Sequence, residues 1–406
     1  MATSTAPLSL YHLLDPEVLA DPYPLYERLR TEDPVHWDPY LHAWVVTRYA
    51  DVVEVFQRFS AARTPTPERL AELDLGEMAP IAQVMVKQML FLDPPAHTRV
   101  RGLASAAFTP RRVAALQDRI QEFTDELLDE VGHGDGMEVM EQLANPLPAI
   151  VTTRMFGVPR GDHHRLKEWS QDFAEMLGNF QHNVGRAPRV LRSLEAMTAY
   201  FHEQVRRQAD SPTEGLINDL ATAEVDGDRF TEEEVVANVI ITLVGALETT
   251  SNLIGNGLLT LLRHPDQMQR LLDDPALIGP AVEELLRYES PSQHTARLAP
   301  EDTELGGKPV AARQAVIAVM GAANRDPARF PEPDRLDLTR ADNRHVAFAW
   351  ASHFCFGAPL ARMEGQIVLG SLLRRWPALR LGEGPIRWRP NLGLRGLVAL
   401  PVTFAE

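Results

Sequence analysis

Cys355 is the only cysteine in the chain. A lone thiol can form neither an intrachain disulfide nor a cysteine-only zinc site. Its ordinary fate is burial as a small hydrophobe, and the alternative is a reactive or metal-ligating thiol. The surrounding segment is Phe348-Ala349-Trp350-Ala351-Ser352-His353-Phe354-Cys355-Phe356-Gly357-Ala358-Pro359-Leu360-Ala361-Arg362-Met363-Glu364. Helical periodicity begins just after Cys355, and Pro359 suits a first turn. That places the cysteine at a helix N-terminus, where free N–H groups and the positive dipole end favour a thiolate. Phe348, Phe354 and Phe356 would exclude water. A thiolate in a dry pocket is a soft metal ligand, and heme iron is one metal held by a single cysteine.

A second cluster lies in the middle of a long apolar segment: Leu243-Val244-Gly245-Ala246-Leu247-Glu248-Thr249-Thr250-Ser251. A glycine, an acid and three hydroxyls are costly inside a buried helix. The plain reading is a kink with hydroxyls bonded within the helix. Glu284 and Arg287, three apart, share one helix face.

The elements that must position these residues are mostly helical. Periodicity predicts helices over 114–132, 192–210, 232–262, 276–288 and 358–375. Thr231 followed by Glu234 is a capping box that starts the longest of them. Short strand-like pieces lie in 35–49, 315–319 and 392–404. This is a mainly α chain with small β-sheets assembled from sequence-distant pieces. No linker, repeat or charge block divides residues 1–406, so one large domain is expected.

The 406 residues include 56 acidic and 40 basic ones, a formal net charge of −16. A global basic field for nucleic acid is excluded. No uninterrupted apolar run reaches the ~18 residues of a membrane span. The first residues lack a basic n-region and an apolar h-region, so a cytoplasmic location is expected.

Four segments, in order, carry a family resemblance. The segment from Phe348 to Gly357 resembles the heme-binding loop of the cytochrome P450 monooxygenases, Phe-Gly-x-Gly-x-His-x-Cys-x-Gly. It matches at Phe348, His353, Cys355 and Gly357, with Ala349 and Ala351 in place of two glycines. Glu284-Leu285-Leu286-Arg287 is similar to the family's Glu-x-x-Arg motif. Residues 245–250 resemble its oxygen-binding helix, with Ala246 where glycine is usual. Asp93-Pro94-Pro95-Ala96-His97-Thr98-Arg99-Val100-Arg101 resembles its propionate-binding segment.

The resemblance covers essentially the whole chain and implies the cytochrome P450 fold with heme b (iron protoporphyrin IX). It makes Cys355 the axial iron ligand, with Gly357 near the sulfur. It assigns His97, Arg101, Arg297 and His353 to the heme propionates, and puts Ala246 and Phe348 against the heme. Glu248 and Thr249 become an acid–alcohol pair that brings protons to dioxygen. Glu284 and Arg287 become a fold-holding pair, completed by Arg325 or Arg335. Residues 60–92, Met176–Phe180, Leu243, Leu247, Ser292–Thr295 and Leu392–Leu394 would line the substrate pocket.

The implied reaction inserts one atom of O2 into a small apolar organic substrate, by hydroxylation or epoxidation, in secondary metabolism. Electrons would come from NAD(P)H through a ferredoxin reductase and a ferredoxin. Arg101, Arg111, Arg112, Arg344 and Arg362 are candidates to meet the ferredoxin. A peroxide-driven peroxygenase and a non-catalytic heme-thiolate sensor are the alternatives, and Glu248-Thr249 argues against both. If Ala349 and Ala351 need positive φ, the loop is expected to re-route slightly, with Trp350 at the proximal surface.

Overall fold

The computed structural model describes residues 7–132, 134–178 and 186–404. Eight helices organise the site: α1 (Ala96–Ala107), α2 (Gln117–Val131), α3 (Pro146–Phe156), α4 (His163–Gly178), α5 (Ala187–Asp210), α6 (Glu232–Arg263), α7 (Ile278–Tyr288) and α8 (Ala358–Arg375). α6 is the axis. Thr231 and Glu234 form the capping box, three glutamates occupy its first turn and Arg263 its last, all favourable for the helix dipole. Its 32 residues span about 48 Å at ~1.5 Å each. It packs on α3, α4, α5, α7 and α8, so it is buried on nearly all sides and hydrophobic all round. By length and composition it could cross a membrane, but most of its apolar window is covered by protein.

The main sheet joins β1 (Val35–Asp38), β2 (Ala43–Val46), β3 (His294–Leu298) and β4 (Ala315–Val319) in the order β1-β2-β4-β3. The β2–β4 pair is parallel and the other two are antiparallel. Strands from both ends of the chain thus meet, and β3 carries Arg297 opposite Val316.

The segment after β4 is tied to α7 by a buried ionic network. Glu284 and Arg287 are both 0% exposed. Glu284 accepts from Arg287 Nε and Nη2, each at 2.8 Å. The third member is Arg340, whose Nε reaches Glu284 at 3.1 and 3.2 Å. That corrects the expectation of Arg325 or Arg335. Arg325 pairs with Asp334 instead, and Arg335 gives the network only its backbone carbonyl.

Candidate active site around Cys355

A cavity of about 330 Å³ lies between the middle of α6 and the loop before α8. α8 starts at Ala358 with Pro359 in its first turn. The freed N–H groups of Gly357 and Ala358 donate to the Cys355 sulfur and oppose burial, which pushes the thiol up. Cys355 N donates to Phe348 O at 2.9 Å, closing the loop. Phe348 and Phe356 shelter the sulfur, with the Arg362 guanidinium 4.6 Å from the Phe348 ring and Phe108 4.9 Å from the Phe356 ring. Phe354 does not shelter it: the side chain is 38% exposed.

Ala349 and Ala351 both take left-handed backbone, φ 59° and 57°. The loop therefore keeps the conformation that suits glycine and does not re-route. Trp350 packs on the apolar cluster beside the main sheet. Left-handed backbone costs an L-residue roughly 1–2 kcal/mol, and glycine's greater unfolded freedom returns ~0.5–1 kcal/mol of that. Ala351→Gly is therefore expected to stabilise the protein by ~0.5–1 kcal/mol, read as a higher melting temperature. An unchanged or lower value would show that the alanine is not strained.

His97, Arg101, Arg297 and His353 converge on the cavity, as do Ala246, Thr249, Phe348 and Gly357. The His97 and His353 rings lie 4.1 Å apart. Burial pulls His353 down to about 3, reinforced by Arg297 and His97, and holds His97 low as well. Burial also lowers Arg297 to about 10. The Arg101 Nη2 donates to Phe354 O at 2.9 Å.

On α6 the acid and the alcohol part company. Thr249 lines the cavity and its hydroxyl donates to Gly245 O, 2.6 Å away. The helix is unbroken there, so the hydroxyl is satisfied within the turn and its oxygen keeps acceptor capacity toward the cavity. Glu248 is absent from the lining. Its Oε2 is 2.7 Å from Arg389 Nη1, on the side where Arg389 also bonds Asn145. Burial raises the Glu248 carboxyl, and Arg389 and Lys167 oppose that.

The pocket expectation is corrected in part. Met89, Leu90, Leu177, Ser292, His294, Thr295 and Leu394 line the cavity. Leu243 and Leu247 do not; they are buried in the core while Val244, Gly245 and Ala246 face the cavity. Phe180 lies outside the described residues. Two charged lining residues had no role assigned from the sequence. Glu364 is buried without a partner for its Oε2, and burial raises its carboxyl to about 8. Arg63 sits in a stretch otherwise read as apolar. A lone arginine between Ala62 and Thr64 has no motif around it to mark it.

A cysteine at a helix start, facing a cavity under a long core helix, is the arrangement of the heme-thiolate enzymes. The Cytochrome P450 family model matches residues 45–275 and 276–386, and the chain belongs to that family. It is 38% identical over 415 residues to the Cytochrome P450 monooxygenase PikC of Streptomyces venezuelae, covering 99% of this chain and 95% of that one. It is 33% identical over 410 residues to the Polyketide biosynthesis cytochrome P450 PksS of Bacillus subtilis (strain 168), covering 98% and 99%. Among solved structures, P450BioI in complex with an acyl carrier protein ligated to hexadec-9Z-enoic acid matches with a TM-score of 0.90 and 38% identity, covering 96% and 99%. The chain is thus a heme-thiolate monooxygenase with a heme iron cofactor, and its class uses redox partners and organic substrates.

The residues present fit such a group. His97 Nε2 and Arg297 Nε are buried without hydrogen-bond partners. A Cβ added at Gly245 or at Gly357 would meet no atom within 4 Å. The unpartnered donors suit carboxylates, and the room beside the two glycines suits a flat ring.

Proposed function

We propose that this chain, a single domain over residues 1–406, binds heme b through Cys355 and oxidises a small apolar organic compound of secondary metabolism in the cytoplasm. The observation that carries this is the cavity itself. A sulfur with N–H donors closes one side, α6 closes the other, and unpaired cations stand at its edge. When bound, the heme supplies dioxygen activation, and the thiolate pushes electron density to the iron.

The chain's own residues would do the rest. Arg101 and Arg297 hold the propionates as cationic partners, which buried carboxylates need, and His97 and His353 serve them as N–H donors. Gly357 and Ala358 hydrogen-bond the sulfur and tune it. Phe348 excludes water on the cysteine side, and Ala246 narrows the groove on the α6 side. Thr249 accepts a hydrogen bond from an ordered water and holds the proton path in place. Glu248 delivers protons only after its ion pair with Arg389 opens, and its burial favours the protonated form once it does.

Met89, Leu90, Leu177, Ile241, Val244 and Leu394 give the cavity an apolar wall, which suits a polyketide-like or other hydrocarbon-rich substrate. PksS, by its name, serves polyketide biosynthesis. An acyl chain carried on a protein, as in the P450BioI complex, is a second form the substrate could take. Electrons would arrive from NAD(P)H through a ferredoxin reductase and a ferredoxin. Of the arginines offered to the ferredoxin, Arg112, Arg344 and Arg362 are already ion-paired. Arg101 is given to the propionates, and Arg111, which has no ion pair among the described residues, is left to carry the attraction.

Two measurements test the reading. A carbon monoxide difference spectrum of the reduced protein must show the thiolate-type Soret band. With surrogate redox partners, Thr249→Ala is expected to keep consuming NAD(P)H while product per NAD(P)H falls by about an order of magnitude and hydrogen peroxide appears instead. Coupling equal to wild type would remove Thr249 from the proton path.

A further inference from the structure

Three guanidiniums line the cavity, from Arg63, Arg101 and Arg297. Among the described residues none of the three has a carboxylate within ion-pair distance, whereas most other arginines here do. The assignments above use Arg101 and Arg297 and leave Arg63 without a task. Arg63 makes one side-chain hydrogen bond, from Nη1 to the nearby Ala61 O at 3.3 Å. Its guanidinium also lies 4.6 Å from the Phe91 ring. Its enclosure and the neighbouring charge of Arg297 pull it down to about 9.

The backbone that carries Arg63 is fixed, so this crowding is not relieved by drifting apart. Ser60 and Leu298 exchange two backbone hydrogen bonds of 2.9 Å, which staples the segment to β3, the strand of Arg297. Asp93 accepts from the Ser60 hydroxyl and from Ala61 N. That carboxylate is spent on holding the turn and reaches neither guanidinium at ion-pair distance. Like charges held together in a poorly hydrated site are unfavourable unless an anion joins them. The planar, two-pronged donor of arginine matches a carboxylate.

We propose that Arg63 is a further carboxylate-binding residue at the edge of the cavity, beside the propionate partners Arg297 and His353. The carboxylate comes from a heme propionate or from an acidic substrate. The inference rests on the heme-thiolate reading, and the two sources separate by experiment.

Arg63→Gln and Arg63→Lys are compared with the wild-type holoprotein. If a propionate is the ligand, Arg63→Gln loses heme to apomyoglobin at least ~10-fold faster, with Arg63→Lys in between. If the substrate is the source, heme retention is unchanged. Spin-state titration with hexadecanoic acid then weakens ~10-fold in Arg63→Gln, while titration with its methyl ester does not. Heme loss equal to wild type, with no selective change in acid binding, overturns the site. Absence of the thiolate-type Soret band in wild type would instead overturn the heme-thiolate reading. A band present with both Arg63 readouts flat defeats only the Arg63 inference.

Discussion

Cys355→Ser is expected to abolish substrate oxidation and to replace the thiolate-type Soret band of the reduced carbon monoxide complex with a band of another ligand. The change is one atom, and the fold has little reason to notice it. Cys355 N bonds Phe348 O, a backbone contact that serine keeps. The N–H groups of Gly357 and Ala358 would donate to the serine oxygen as they do to sulfur. What changes is the donor. A serine hydroxyl stays protonated at neutral pH and is a hard, weak ligand, whereas a thiolate is soft and electron-rich. Losing an outer-shell partner of a metal ligand typically costs ~10–100-fold, and losing the ligand itself should exceed that. Circular dichroism of the variant should match wild type, which separates loss of ligand from loss of fold. A serine variant with the normal band and normal turnover would remove Cys355 from the iron.

The same loop shows how far the sequence could be read. α8 covers 358–375, the range its periodicity predicts, because Pro359 and the apolar stripe both act locally. β4 likewise covers 315–319. α3 had no sequence expectation. Residues 147–153 and 155–156 are all buried, so no polar face marks a helical period. Glu248 and Thr249 are adjacent and belong to one motif, yet neighbours on a helix point about 100° apart. Thr249 faces the cavity, whereas Glu248 turns to Arg389. Thr242, Gly245, Thr249 and Leu253 recur at helical spacing along the cavity face. That stripe was legible, but the lining also takes in Ile241, Val244, Ala246 and Thr250, so spacing alone did not exclude Glu248, and its turn toward Arg389 was not legible. Arg63 was not legible, because its meaning comes from Arg297, a residue brought close only by the pairing of Ser60 with Leu298. The third member of the Glu284 network was illegible for a similar reason. The segment after β4 supplies several arginines, and only its path decides that Arg340 turns inward.

That network sets the largest expected loss of stability. Glu284 accepts from Arg287, Arg340, Asn343 Nδ2 at 3.1 Å and the Asp337 N–H at 3.0 Å. Arg287 also donates to the carbonyls of Asn324, Pro333 and Arg335. One carboxylate therefore balances two guanidiniums, one fully buried and one mostly so. Glu284→Ala leaves Arg287 fully buried, and Arg340 mostly so, without an anion, a loss of ~3–5 kcal/mol. That is a large share of the ~5–15 kcal/mol that holds a typical domain together. The effect should reach the active site, since α7 leads through Ser290–Gln293 into β3 and Arg297. Glu284→Ala is accordingly expected to accumulate as heme-poor protein and to unfold at lower denaturant concentration. A control lies a few residues away. Arg335 and Glu332 form an ion pair with side chains 58% and 71% exposed, and such surface pairs contribute only ~0–1 kcal/mol. Arg335→Ala removes that pair and leaves the Arg335 carbonyl in place for Arg287, so its denaturation midpoint should stay near wild type. Arg340→Ala should fall well below it, because Arg340 is the second cation on Glu284. If Arg335→Ala proved the more damaging of the two, Arg335 and not Arg340 would be the third member of the network.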